Sequence, residues 1–156
     1  LVQHVQDFVS LLQHFQQKKD DDDSMQLRLK AGLCLRHARE YWKTHVWVAS
    51  IWLESHDETI QWKDVVVHKL QDWIVQEELE ECWKMRPLVD GREMMQTLNL
   101  PKGPMIGQML QEQIQWMFMY PKGTKEGCLD YLKSRMETLQ SPYPDNNKRA
   151  AETSNH

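Results

Sequence analysis

Pro87–Lys133 reads PLVDGREMMQTLNLPKGPMIGQMLQEQIQWMFMYPKGTKEGCLDYLK, and this stretch decides the fold. It spells three helices separated by two turns rich in Pro, Lys and Gly. Asp90-Gly91 opens the first, whose Met94, Met95 and Leu98 follow helical spacing. Leu100-Pro101-Lys102-Gly103-Pro104 stops it, because proline lacks an amide donor and excludes helical backbone just before it. Pro104 suits the first turn of the next helix, where an amide has no intrahelical partner anyway. That helix carries Ile106, Leu110, Ile114 and Met117 on one stripe, and Gly107 is expected to let a neighbour approach. Tyr120-Pro121-Lys122-Gly123 breaks the chain again. Thr124 is then the N-cap of a third helix bearing Cys128, Leu129, Leu132 and Met136.

Outward from this stretch the pattern stays helical. Leu1–Lys19 places Leu1, Val5, Phe8, Leu12 and Phe15 at steps of three and four, an amphipathic helix with a packed stripe. Asp20–Asp23 reads as a solvated loop, with Ser24 capping the next helix. In Met25–Leu35 the residues Leu27, Leu29, Ala31, Leu33 and Leu35 alternate with polar ones, which is the period of a strand. The run holds no β-branched residue, and leucine, alanine and lysine favour helix, so the expectation is helix. Arg36 and Arg39 follow where cations suit the helix dipole. Tyr41–Leu53 carries Trp42, Val46, Ala49 and Leu53 on one stripe, with Trp47 and Trp52 off it. A helix apolar on most sides is central to a bundle or covered by another domain.

Thr59 is expected to cap a long helix running to about Trp83, with Trp62, Val66, Leu70, Trp73 and Leu79 inward and Glu77–Glu81 as its acidic surface. Most of the seven tryptophans fall at helical spacing and are expected in the core. The predicted fold is therefore all-α, about seven helices in a multi-helix array. The divisions are a helical region over 1–84, a second over 85–140 containing the hairpin turn, and a disordered tail over 141–156.

Composition narrows the function classes. Hydrophobic residues make up 40% and charged residues 27% of the 156, as in globular domains. No apolar run approaches the ~20 residues of a membrane helix, and no signal-peptide pattern precedes the first helix. The chain starts at Leu1 with an amphipathic pattern already running, so it reads as a fragment of a longer protein. The formal charge of −4 argues against indiscriminate polyanion binding. Between Lys84 and Pro104, however, Lys84, Arg86, Arg92 and Lys102 face only Asp90 and Glu93, which points nucleic-acid contact to the C-terminal half. The three cysteines, Cys34, Cys82 and Cys128, fit a reducing compartment and offer neither a disulfide framework nor zinc spacing. Cys34 and His37 lie one helical turn apart, yet two ligands do not close a metal site. No phosphate-binding glycine loop or nucleophile elbow occurs.

Several motifs resemble the C-terminal part of class II tRNA nucleotidyltransferases, the CCA-adding enzymes, and the fungal ones most. They are Pro87-Leu88-Val89-Asp90-Gly91, Lys102-Gly103-Pro104-Met105-Ile106-Gly107, Gln113-Ile114-Gln115-Trp116 and Thr124-Lys125-Glu126, with Gly32–Arg36 and Tyr41-Trp42-Lys43 upstream. The resemblance implies a helical body and tail that grip tRNA by shape and backbone, as suits A-form RNA. It also implies that catalysis lies elsewhere, in an N-terminal head with a two-aspartate motif, followed by a neck that reads CTP and ATP. Neither is found here, so no catalytic residue, metal or cofactor is expected in this chain. Mg and CTP or ATP are expected only for the head and neck. The family commonly has a second acidic residue where Gly127 stands, which removes a capping-box partner for Thr124.

The candidate RNA-binding residues are Lys102 and Gly103 at the start of the Pro104 helix, with Arg86, Arg92, Lys122 and Lys125. Amides that begin a helix attract phosphate, and Lys102 adds a point charge beside them. The partners implied are tRNA and the catalytic head of the parent protein, with no membrane. The compartment is intracellular: cytoplasm, nucleus or mitochondrion. The same turn also looks like a helix-hairpin-helix that clamps a DNA backbone, and a non-catalytic helical module binding a partner protein is the reading from a different class.

Overall fold

A computed structural model describes residues 2–18 and 23–140. Leu1, Lys19 to Asp22 and the predicted disordered tail from Ser141 lie outside the described residues. Among those described, every regular element is helical. In chain order they are α1 (Val2–Gln17), α2 (Asp23–Ala38), α3 (Trp42–His56), α4 (Val67–Gln76), α5 (Gly91–Thr97), α6 (Pro104–Met119) and α7 (Lys125–Gln140). Short 3-10 turns cover Arg39–Tyr41 and Cys82–Lys84, and a π-helical turn, Trp62–Val66, leads into α4. The residues fall into two compact units. One lies within Leu1–Pro87 and Ile114–Lys122, the other within Leu88–Gln113 and Gly123–His156.

In the first unit, α1 buries Phe8, Leu11 and Leu12. The alternating run in α2 is helix, as its propensities demand: Leu27, Ala31, Leu35 and Ala38 are buried, while Leu29 and Leu33 flank the core. A wide apolar stripe on a helix mimics the two-residue period here. Ser24 is not the cap, because α2 already begins at Asp23. The Asp23 carboxylate meets His14 at 2.7 Å instead, closing the link from α1. In α3 the inward stripe is the expected one, with Trp42, Val46, Ala49 and Leu53 all buried.

The long helix expected from Thr59 to Trp83 does not form. Thr59 gives its amide to the Asp57 side chain in a local turn, and the helical backbone starts only at Trp62. At the other end Glu78 adopts a left-handed φ of 57°. Its amide donates to the Val75 carbonyl, and the Leu79 amide to that of Ile74, both at 3.0 Å. This is a Schellman stop, in which the residue after the left-handed one packs back on the helix; Leu79 and Ile74 are both buried. Glu77–Glu81 is therefore not an exposed helical surface. Glu77 accepts from Arg28 of α2 through its carboxylate at 2.7 Å and its carbonyl at 2.8 Å. Among the tryptophans, Trp42, Trp62 and Trp116 are buried. Trp73 and Trp83 are half-buried, and Trp47 and Trp52 are exposed, so fewer are core than spacing suggested.

The last part of α6 belongs to this unit, where Ile114 and Phe118 join its core. Gly32 is the glycine that permits close approach: a Cβ there would stand 2.5 Å from Phe118 Cδ1. Gly107, expected in that role, has nothing within 4 Å of where its Cβ would be.

The second unit buries Val89, Met94, Leu98, Leu100, Met109, Gln113, Cys128 and Leu132. The predicted α6 stripe is displaced: Met109 and Gln113 are buried here, while Ile106 and Leu110 are only half-buried. Both turns predicted from proline and glycine are present. Asn99, left-handed at φ 52°, ends the α5 segment, and the Leu100 amide returns to the Met95 carbonyl at 3.0 Å. Asparagine is the common substitute for glycine at such a stop.

Candidate functional site

The turn around Lys102 is held by its flanks. Upstream, the Asp90 carboxylate accepts the Glu93 amide at 2.8 Å and caps α5, the expected role of an Asp just before a helix. Val89, just before it, is fixed by the side chain of Gln113 on α6. The Val89 amide donates to Gln113 Oε1 at 2.7 Å and Gln113 Nε2 donates to the Val89 carbonyl at 2.9 Å. Cys128 of α7 adds a weaker S–H contact to the same Oε1 at 3.7 Å. Glu112, one residue earlier, receives both Nε and Nη2 of Arg135 and the hydroxyl of Tyr131. Those bonds, Arg135 first, hold its carboxyl below the usual glutamate range. Start and end of the Leu88–Gln113 segment are thereby anchored, and the turn between α5 and α6 projects from a fixed frame.

Lys102 and Gly103 are exposed, and Pro104 is the first residue of α6. The Ile106 amide already bonds the Gly103 carbonyl at 3.2 Å, so the helix start offers fewer open amides than its sequence implied. Arg92 lies exposed in the first turn of α5. Lys125 opens α7 and pairs with Glu93 at 2.6 Å. The hydrogen bond to Glu93, reinforced by Glu93, Asp90 and Glu126 as neighbouring charges, raises its pKa. Arg86 and Lys122, both exposed, belong to the other unit. Among the described residues no ion pair engages Arg86, Arg92, Lys102 or Lys122.

The buried Gln113 escaped the sequence reading. Its side-chain type gave no signal, because Gln108, Gln111 and Gln115 stand beside it on the same helix; it lies within a motif that carried the family resemblance. Among the described residues no three His, Cys, Asp or Glu side chains are placed to hold an ion. Burial pushes the Cys34 thiol up to about 12 and the Cys82 thiol to about 11, so neither is a thiolate at neutral pH.

A tRNA nucleotidyltransferase of Schizosaccharomyces pombe is 34% identical over 65 residues, 42% of this chain and 13% of that protein. Its relatives are fungal CCA tRNA nucleotidyltransferases. The mitochondrial CCA tRNA nucleotidyltransferase of Candida glabrata is 29% identical over 113 residues, 69% of this chain and 21% of its own length. A second Schizosaccharomyces pombe tRNA nucleotidyltransferase is 26% identical over 128 residues, 76% of this chain and 24% of its own. The chain thus spans less than a quarter of the length of these relatives. No protein-family model matches it, and no solved structure matches significantly. No helix among the described residues is long and apolar enough to cross a membrane.

Proposed function

We propose that this chain is the tRNA-holding helical part of a CCA-adding tRNA nucleotidyltransferase, acting in tRNA 3′-end maturation beside a catalytic head on the same polypeptide. The similarity to fungal enzymes of that name carries the reading. Lys102, Gly103 and Arg92, with Arg86 and Lys122, are the residues proposed to meet RNA phosphates; Lys125 contributes less because Glu93 already holds it. Exposed cations that form no ion pair among the described residues cost little to bring to a phosphate, since none of the described ion pairs must break. Nucleotide selection and the metal ions of transfer are assigned to the head and neck, with Mg and CTP or ATP bound there. Such a part works wherever tRNA matures, in cytoplasm, nucleus or mitochondrion.

The test has two arms. With tRNA lacking its CCA end, CTP, ATP and magnesium, the purified chain is expected to add no nucleotide. Incorporation that survives repurification and scales with the chain would place the chemistry here. In the second arm, labelled tRNA is competed with unlabelled duplex DNA. Preference for tRNA supports the proposal, and equal competition by DNA supports a helix-hairpin-helix backbone clamp in its place.

A further inference from the structure

Half of the large apolar side chains left exposed among the described residues lie on α3 or at its start. They are Tyr41 (64%), Ile51 (48%), Trp47 (43%), Val48 (43%) and Trp52 (39%). At 3.6 residues per turn they occupy one arc of about 140°, opposite the buried Trp42–Val46–Ala49–Leu53 stripe. Only Thr44 and Ser55 interrupt that arc, and no charged residue does. Ordinary surface helices carry charged and polar residues on their outward side, and helices apolar all round are covered on both sides. A contiguous apolar face marks an interaction surface.

We infer that the outward face of α3 is covered by another segment of the same, longer polypeptide, an apolar protein surface rather than RNA. Phosphates require cations, and this arc has none. The relatives are more than four times longer than the part matched, with 13%, 21% and 24% of their lengths aligned. A linked segment reaches the face at far higher effective concentration than a separate protein. This inference rests on the reading of the chain as part of a CCA-adding enzyme.

The experiment uses the intact parent protein with the photo-crosslinking substitution Ile51→benzoylphenylalanine. Irradiation is expected to give an intramolecular link to a residue outside this chain, with no gain in mass. Val48→Glu is expected to leave the melting temperature of the isolated chain unchanged and to lower that of the parent by several degrees. A link to a second copy or to tRNA would overturn the inference, as would an unlinked parent whose stability ignores Val48→Glu. The two readings fail separately. A parent that adds CCA but shows no such link removes only the docking face. A linked parent without nucleotide addition removes only the proposed function.

Discussion

Gln113 and Val89 exchange two hydrogen bonds, 2.7 and 2.9 Å long, between one side chain and one backbone unit. The glutamine imitates a neighbouring strand where the described residues form none, and it does so with both residues fully buried. Removing it leaves a buried amide and a buried carbonyl unpaired, and each unsatisfied group costs about 1–3 kcal/mol. Gln113→Leu is therefore expected to lower the urea midpoint clearly. An unchanged midpoint would mean that Val89 finds other partners.

Gly32 tests packing in the first unit. On propensity alone, alanine within a helix is favoured over glycine by about 1 kcal/mol. The overlap with Phe118 opposes this, and overpacking costs about 1–3 kcal/mol. Gly32→Ala should destabilise the chain when Phe118 is present and stabilise it when Phe118→Ala has emptied the space. Equal effects in both backgrounds, read by thermal melts, would deny the contact.

Trp42 and Trp62 are both buried, but among the described residues Trp62 Nε1 meets no hydrogen-bond partner. Alanine at either should cost about 3–5 kcal/mol. Half-buried Trp73, which meets Phe15 at 5.8 Å between ring centres, should cost less. Trp62→Phe removes an unpaired buried donor and is expected to be tolerated far better than Trp62→Ala. Denaturation curves in which Trp62→Phe is as damaging as Trp62→Ala would show that the indole nitrogen is satisfied in solution.

Arg135 and Tyr131 lower the pKa of Glu112. A carboxyl depressed on folding contributes stability above its unfolded pKa, and that contribution disappears as pH falls through the folded one. Glu112→Gln should accordingly destabilise near neutral pH, with the deficit closing below about pH 4. A deficit independent of pH would assign the effect to packing.

What was legible followed local chemistry. Pro104 at a helix start, Asp90-Gly91 as a helix opening, Thr124 as a cap, and helix rather than strand in Met25–Leu35 each needed only neighbouring residues. Thr124 caps even beside Gly127, whose amide it accepts at 3.2 Å. The end of α4 was hidden because Glu78, not glycine, takes the left-handed position. The α6 stripe was misread because that helix buries Gln113 in one unit and Phe118 in the other, so no single face serves its whole length. At the candidate site, charge type was readable but charge engagement was not: only the fold pairs Lys125 with Glu93 and, among the described residues, gives Lys102 no ion pair.

The central claim, that the turn before Pro104 holds tRNA, is tested most directly by fluorescence anisotropy of labelled tRNA at several salt concentrations with Lys102→Glu. Lys102 is exposed and outside the core, so the melting temperature should not move. Affinity at low salt should fall, and the slope of log affinity against log salt should flatten by about one unit for the lost phosphate contact. Unchanged affinity and slope would contradict the account and move the RNA surface away from this turn.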